Sequence, residues 1–151
     1  MQNGTKLVCI LDRDMIGRPS RITYIQSTNS FIVTDDQARQ MKVFSAADWT
    51  QQGSIFPPTP GSSSAVHPLQ YPSGHCMTPD GEQLAVIDFE SKSVVVWNTN
   101  SADKKCFGTN SDPAIVCQTG LPCPGNVAIT SGGQLAVTDS KVRSRLCFYA
   151  V

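Results

Sequence analysis

Three aspartates stand at matched positions in this chain. Asp35, Asp88 and Asp139 each close a β-branched run (Ile32-Val33-Thr34, Val86-Ile87, Val137-Thr138) and precede a polar turn. Three convergent carboxylates could ligate a hard cation such as calcium, the kind of centre from which a hydrolase polarises its substrate. At a strand end, however, a carboxylate also caps the following turn by accepting its N–H groups. Repetition in every unit fits that structural work better than a single shared centre. The two histidines add little: His67 lies in the Pro/Ser-rich stretch IFPPTPGSSSAVHPLQYP, and His75 is followed by Cys76. A cysteine and a histidine could serve as nucleophile and base, but adjacent residues of a strand point to opposite faces and cannot cooperate. No catalytic residue, metal or cofactor is expected.

The six cysteines contain no CxxC pair, so with only two histidines a zinc site is poorly supported. Cys9, Cys76, Cys117 and Cys147 lie in apolar runs, where a reduced cysteine acts as a small buried hydrophobe. Cys106 and Cys123 lie in loops and could pair in an oxidising compartment. The cations are more suggestive. Arg39, Lys42, Lys92, Lys141, Arg143 and Arg145 all fall on or beside the turns that follow the three aspartates. Lys and Arg total 12 and so do Asp and Glu, so any attraction for acidic partners must come from such a local patch.

The elements that position these residues repeat. Residues 19–44, 72–97 and 124–149 each begin with Pro-Ser or Pro-Gly, continue as a short strand and a polar turn, and reach a second strand that ends in the aspartate. Nine residues after each aspartate stands an aromatic: Phe44, Trp97 and Phe148. The runs are short, rich in Val, Ile and Thr, and separated by turn residues, which predicts strands and no helix. Each repeat is preceded by one more short run: Lys6 to Leu11, Gly53 to Phe56, and Pro113 to Cys117. Four short strands recurring every fifty or so residues are the sequence sign of a β-propeller blade. The expected fold is therefore all-β: one domain over 1–151, with three blades of four antiparallel strands each. Expected core positions are Ile32, Val33, Phe44, Leu84, Val86, Val95, Trp97, Leu135, Val137, Leu146 and Phe148.

The aspartate followed by an aromatic resembles the NHL repeat, a propeller-blade family. The family's arginine, five residues after the aspartate, is replaced by Gln40, Ser93 and Ser144, with a basic residue one position earlier as Arg39, Lys92 and Arg143. The resemblance implies a six-bladed ring, and a charged face that binds protein or RNA.

Three blades make at most half of a ring, since closed propellers carry about four to eight. Two copies would supply six, with the strand at 6–11 of one finishing the last blade of the other in a twofold homodimer; the competing expectation is a piece of a longer propeller. The segment 56–71, rich in proline and serine, is expected to be a surface loop. The expected function is a non-enzymatic scaffold that presents a propeller face to a protein, peptide or RNA. The competing expectation is a metal-dependent hydrolase or lactonase-like enzyme with its site in the central channel. No apolar run approaches the ~20 residues that span a bilayer, so no membrane partner is expected. Neither is a signal peptide, and a soluble cytoplasmic chain is the expectation.

Overall fold

The computed structural model describes residues 11, 14–55, 69–98, 114–140 and 145–149, and the side chains of all these except 55, 97–98 and 114–118. The N-terminal run 6–10, Cys9, His67, Cys106, Lys141 and Arg143 therefore lie outside the described residues, as do most of 56–71 and the side chains of Trp97 and Cys117. Within them the chain is all β. Strands β1 (Pro19–Ile25), β2 (Ser30–Asp35), β3 (Gln40–Ser45) and β4 (Gln51–Ile55) form one antiparallel meander. Strands β5 (Pro72–Met77), β6 (Gln83–Asp88), β7 (Ser93–Asn98) and β8 (Ala114–Gln118) form a second. Strands β9 (Pro124–Ile129), β10 (Leu135–Asp139) and β11 (Arg145–Tyr149) form a third, which has three strands among the described residues. No helix there is long and apolar enough to cross a membrane.

Turn chemistry joins the strands. Gly81 and Gly133 take φ of +75° and +79°, a region that favours glycine, and each N–H donates to the carbonyl of a threonine, Thr78 or Thr130. The same threonine hydroxyls accept from Gln83 and Gln134 at the start of the next strand. Two blades thus solve one turn in the same way.

Each sheet buries alternate residues on two faces, and the blades pack face to face in chain order. Ile25, Ile32, Met41 and Val43 of the first blade meet Leu84, Val86 and Val95 of the second, with Leu69 closing the seam. Ala85, Ile87 and Val94 of the second meet Val127, Leu135 and Val137 of the third, with Leu121. Fully burying a side chain of this size contributes roughly 1.5–3 kcal/mol, so these two seams are the core. The innermost strands β1, β5 and β9 pack side by side. At Gly74 on β5 a Cβ would lie 2.5 Å from the Gly125 carbonyl oxygen and 2.6 Å from the Asn126 Cα, so glycine alone permits this approach to β9.

Of the expected core, Ile32, Val33, Phe44, Leu84, Val86, Val95, Leu135 and Val137 are buried. Leu146 and Phe148 are not: they are 57% and 64% exposed. The cause is register. Asp35 pairs with Gln40 and Asp88 with Ser93, but Asp139 pairs with Arg145, one residue later. A one-residue slip moves every side chain of a strand to the other face. Cys147 and Tyr149 therefore enter the seam with the second blade, and Leu146 and Phe148 point away from it.

Candidate functional site

The three aspartates work inside their own blades. Asp35 is 1% exposed and accepts backbone N–H groups from Gly17, Arg18, Gln37 and Ala38 at 3.0–3.2 Å. It also accepts the Lys42 ammonium at 3.0 Å. Burial opposes its ionisation, but the donors from Gly17, Lys42, Ala38 and Arg18 outweigh this and hold its carboxyl well below the usual carboxylate range. Asp88, fully buried, accepts from Tyr71 N at 2.6 Å and Ser91 N at 3.3 Å. Asp139 accepts from the Arg145 guanidinium at 2.9 Å. Each carboxylate thus anchors the turn after its strand or the chain entering its blade.

The cations divide accordingly. Lys42 has only 14% of its side chain exposed and is held between Asp35 and the Met15 carbonyl oxygen. Arg145 is committed to Asp139. Arg39 and Lys92, by contrast, occupy corresponding places in the first two blades, four residues after the aspartate, and both are exposed. Both also adopt left-handed backbone, φ 53° and 55°, in four-residue turns at the same end of the two sheets. That rim carries two aromatics the sequence reading passed over. Arg39 lies 5.1 Å from the Tyr71 ring centroid, and Tyr71 tilts against Phe89 at 5.7 Å. Phe89 carried a signal: it follows its aspartate where the other blades place Asp36 and Ser140. A guanidinium on an aromatic face, beside a half-buried phenyl ring, suits recognition of an extended chain with acidic and apolar side chains.

His75 and Cys76 face opposite ways, as alternation requires. His75 Nδ1 shares a 2.8 Å hydrogen bond with Thr23 Oγ1 across the first seam, while Cys76 packs into the second. His75 is 5% exposed, and its Nε2 has no partner among the described residues. Burial, reinforced by the Arg21 charge, pushes its pKa down to about 4, so the ring is neutral at pH 7. Burial also pushes the Cys76 thiol up to about 11, which makes it a poor nucleophile. Cys123 is a free thiol that accepts a hydrogen bond from Ser140 Oγ at 3.2 Å.

No protein-family model and no curated protein matches the sequence. Solved structures do. A nidogen/laminin complex matches with a TM-score of 0.57 and 16% identity, over 85% of this chain and 43% of that one. Hydrazine synthase of Kuenenia stuttgartiensis matches at 0.56 and 19%, over 93% and 33%. A gluconolactonase of Xanthomonas campestris matches at 0.54 and 12%, over 81% and 35%. The likeness shows a β-propeller-like fold. The chain spans less than half the length of each of these proteins.

Proposed function

We propose that the chain is a non-enzymatic binding module, half of a six-bladed NHL-like ring that two copies complete. It presents its turn rim to a protein or peptide partner with acidic side chains, with RNA as the rival ligand. The observation that carries this reading is the division of labour on the rim. The repeated carboxylates are spent on holding turns, while Arg39, Tyr71, Phe89 and Lys92 are left in whole or in part to solvent. The nidogen/laminin match is to a complex between proteins, which agrees with a binding role. The reading extends to a soluble, cytoplasmic chain, supported by Cys76 and Cys147, which pack into a seam as small hydrophobes.

The test is fluorescence anisotropy with a labelled glutamate-rich peptide and a single-stranded RNA oligonucleotide. Peptide binding should weaken as salt is raised. Arg39→Glu with Lys92→Glu should weaken it more than about tenfold, because like charges brought together cost several kcal/mol. Preferential RNA binding would transfer the rim to the rival ligand, and binding indifferent to both salt and charge reversal would sink the rim.

One observation favours a metal-dependent hydrolase or lactonase-like enzyme instead: the unpartnered Nε2 of His75 on an innermost strand. One of the matched proteins is a gluconolactonase. Stoichiometric calcium or zinc in the purified protein would support that reading.

A further inference from the structure

The two outward faces of the three-blade stack are of opposite kinds. In each inner seam the later blade contributes the residue two before its aspartate, Val86 or Val137, and the earlier blade the residue three before, Ile32 or Ala85. By the same count the first blade turns Val33 outward and the third blade turns Ala136 outward. One outward face is therefore of the kind that closes on a preceding blade, and the other of the kind that closes on a following one. The first blade also carries the closing residue of such a seam. Leu69 and Leu121 stand three residues before Pro72 and Pro124, and they close the first and second seams. Ile16 stands three residues before Pro19 and is buried in the same way, against Val33 and Phe44. A third seam is thus half built, and beside Ile16 it leaves Ile22 and Tyr24 exposed. The opposite half, on the third blade, exposes Leu146 and Phe148.

We infer that the outward face of the first blade docks on the outward face of the third blade of a second copy, in the geometry of the inner seams, and that the pair makes this contact twice. The inference deepens the half-ring reading above, on which it rests, by naming the residues that meet. The occupant follows from the register. Blades stack in one direction, so the face of the first blade calls for a face of the third-blade kind, and a second copy presents one. The chain's own third blade does not reach it, because the second blade stands between them. Chemistry agrees with geometry. The four exposed side chains are uncharged, and the Tyr24 hydroxyl already donates to Asn29 Oδ1 at 2.9 Å, so burying them strands no polar group.

The contact can be placed to the residue. Ile22, His75 and Val127 hold one position of the innermost strands, opposite Val33, Val86 and Val137. Thr23, Cys76 and Ala128 hold the next, opposite Ile32, Ala85 and Ala136. In the first seam these two positions touch, with Thr23 Oγ1 2.8 Å from His75 Nδ1. In the second, Cys76 packs into the cluster that holds Val127. Between copies, Ala128 of one therefore meets Ile22 of the other, a small side chain against a large one.

The test is sedimentation of two variants of the full chain, Ile22→Asp and Ala128→Lys, each alone and then mixed in equal amounts. Both positions are exposed in the single chain, so each variant should keep the β-sheet circular dichroism of the native protein. A pair of identical variants sets a lone charge against an apolar side chain in both contacts. The mixed pair has Asp against Lys in one contact and the native residues in the other. The expected result is a native dimer, pairing weakened more than about tenfold in either variant alone, and a dimer holding one chain of each kind in the mixture. A native dimer that either variant leaves intact would overturn the seam and leave the half-ring reading standing. So would two variants that separate but do not recover on mixing. A native chain that sediments as a single copy would overturn both. Should a variant lose its circular dichroism, the reversed pair, Ile22→Lys and Ala128→Asp, is judged by the same outcomes. A position that tolerates neither charge lies within the chain's own packing, which would also overturn the docking.

Discussion

At the level of single residues, the chain places its charged groups according to what each can satisfy. Asp35 combines four backbone donors with an ammonium group, so its ionised form is favoured in spite of burial. His75 has one hydroxyl neighbour and, among the described residues, an unpartnered nitrogen, so its ionised form is disfavoured. These opposite situations give two pH windows. The folded His75 takes up a proton only near pH 4, whereas the unfolded side chain does so near its ordinary 6.5. Stability from this residue is therefore complete above about pH 6.5 and falls as the pH drops towards 4, by on the order of 2–4 kcal/mol. Asp35 works at lower pH: its contribution is present above the ordinary carboxylate value and is lost only below it. Urea midpoints between pH 7.5 and 4.5 should show the first loss in the native chain and a flatter profile in His75→Gln. An unchanged slope would mean another group carries it. The capping role of the aspartates was legible because a carboxylate at a strand end before a polar turn has few other uses. The ion pairs of Lys42 and Arg145 were not, because spacing alone does not tell which of several neighbouring cations folds back onto a carboxylate.

At the level of strands, the same pattern that made the blades readable made one register unreadable. Strand, turn and aspartate recur so regularly that all eleven strands of the described residues fall on the repeat and its linking runs, and only the register of β11 does not follow. In β3 the alternation leaves no choice. Moving β3 by one residue, for example, would bury Lys42 and Phe44 in the seam in place of Met41 and Val43. In β11 both alternating sets are apolar, Leu146 with Phe148 and Cys147 with Tyr149. The hydrophobic pattern therefore permits either register, and the residue added to the turn before Arg145 decides for the second. Tyr149 also gains a specific partner there, its hydroxyl donating to the Thr119 carbonyl oxygen at 2.9 Å. Tyr149→Phe should accordingly cost about 0.5–1.5 kcal/mol in chemical denaturation at fixed protein concentration, the net worth of one hydrogen bond. With Phe148 in the seam instead, Tyr149 would face outward and the substitution would be neutral.

At the level of the whole molecule, the blades account for their inner faces and leave the outer ones as the open question. Within the stack, seam follows seam, and Ile25, Ile32, Leu84, Ile87 and Leu135 are fully buried. At the ends, Ile22, Tyr24, Leu146 and Phe148 are the large hydrophobics most exposed among the described residues, and they belong to the two outermost blades. Scattered apolar residues on a surface need no explanation, but apolar residues paired on one blade face mark an association surface. In the half-ring reading this surface is shared by two chains and amounts to a blade seam divided between them, so folding and assembly are coupled. The melting temperature should then rise with protein concentration, as for any partner that binds only the folded state. Replacing Leu146 and Phe148 together by lysine should leave the inner seams intact, since neither side chain enters them, yet abolish the concentration dependence. The product should sediment as a single chain of 16.3 kDa. If the native chain already sediments at that mass and melts at one temperature over a hundredfold range of concentration, its exposed flanks are not joined by a second copy.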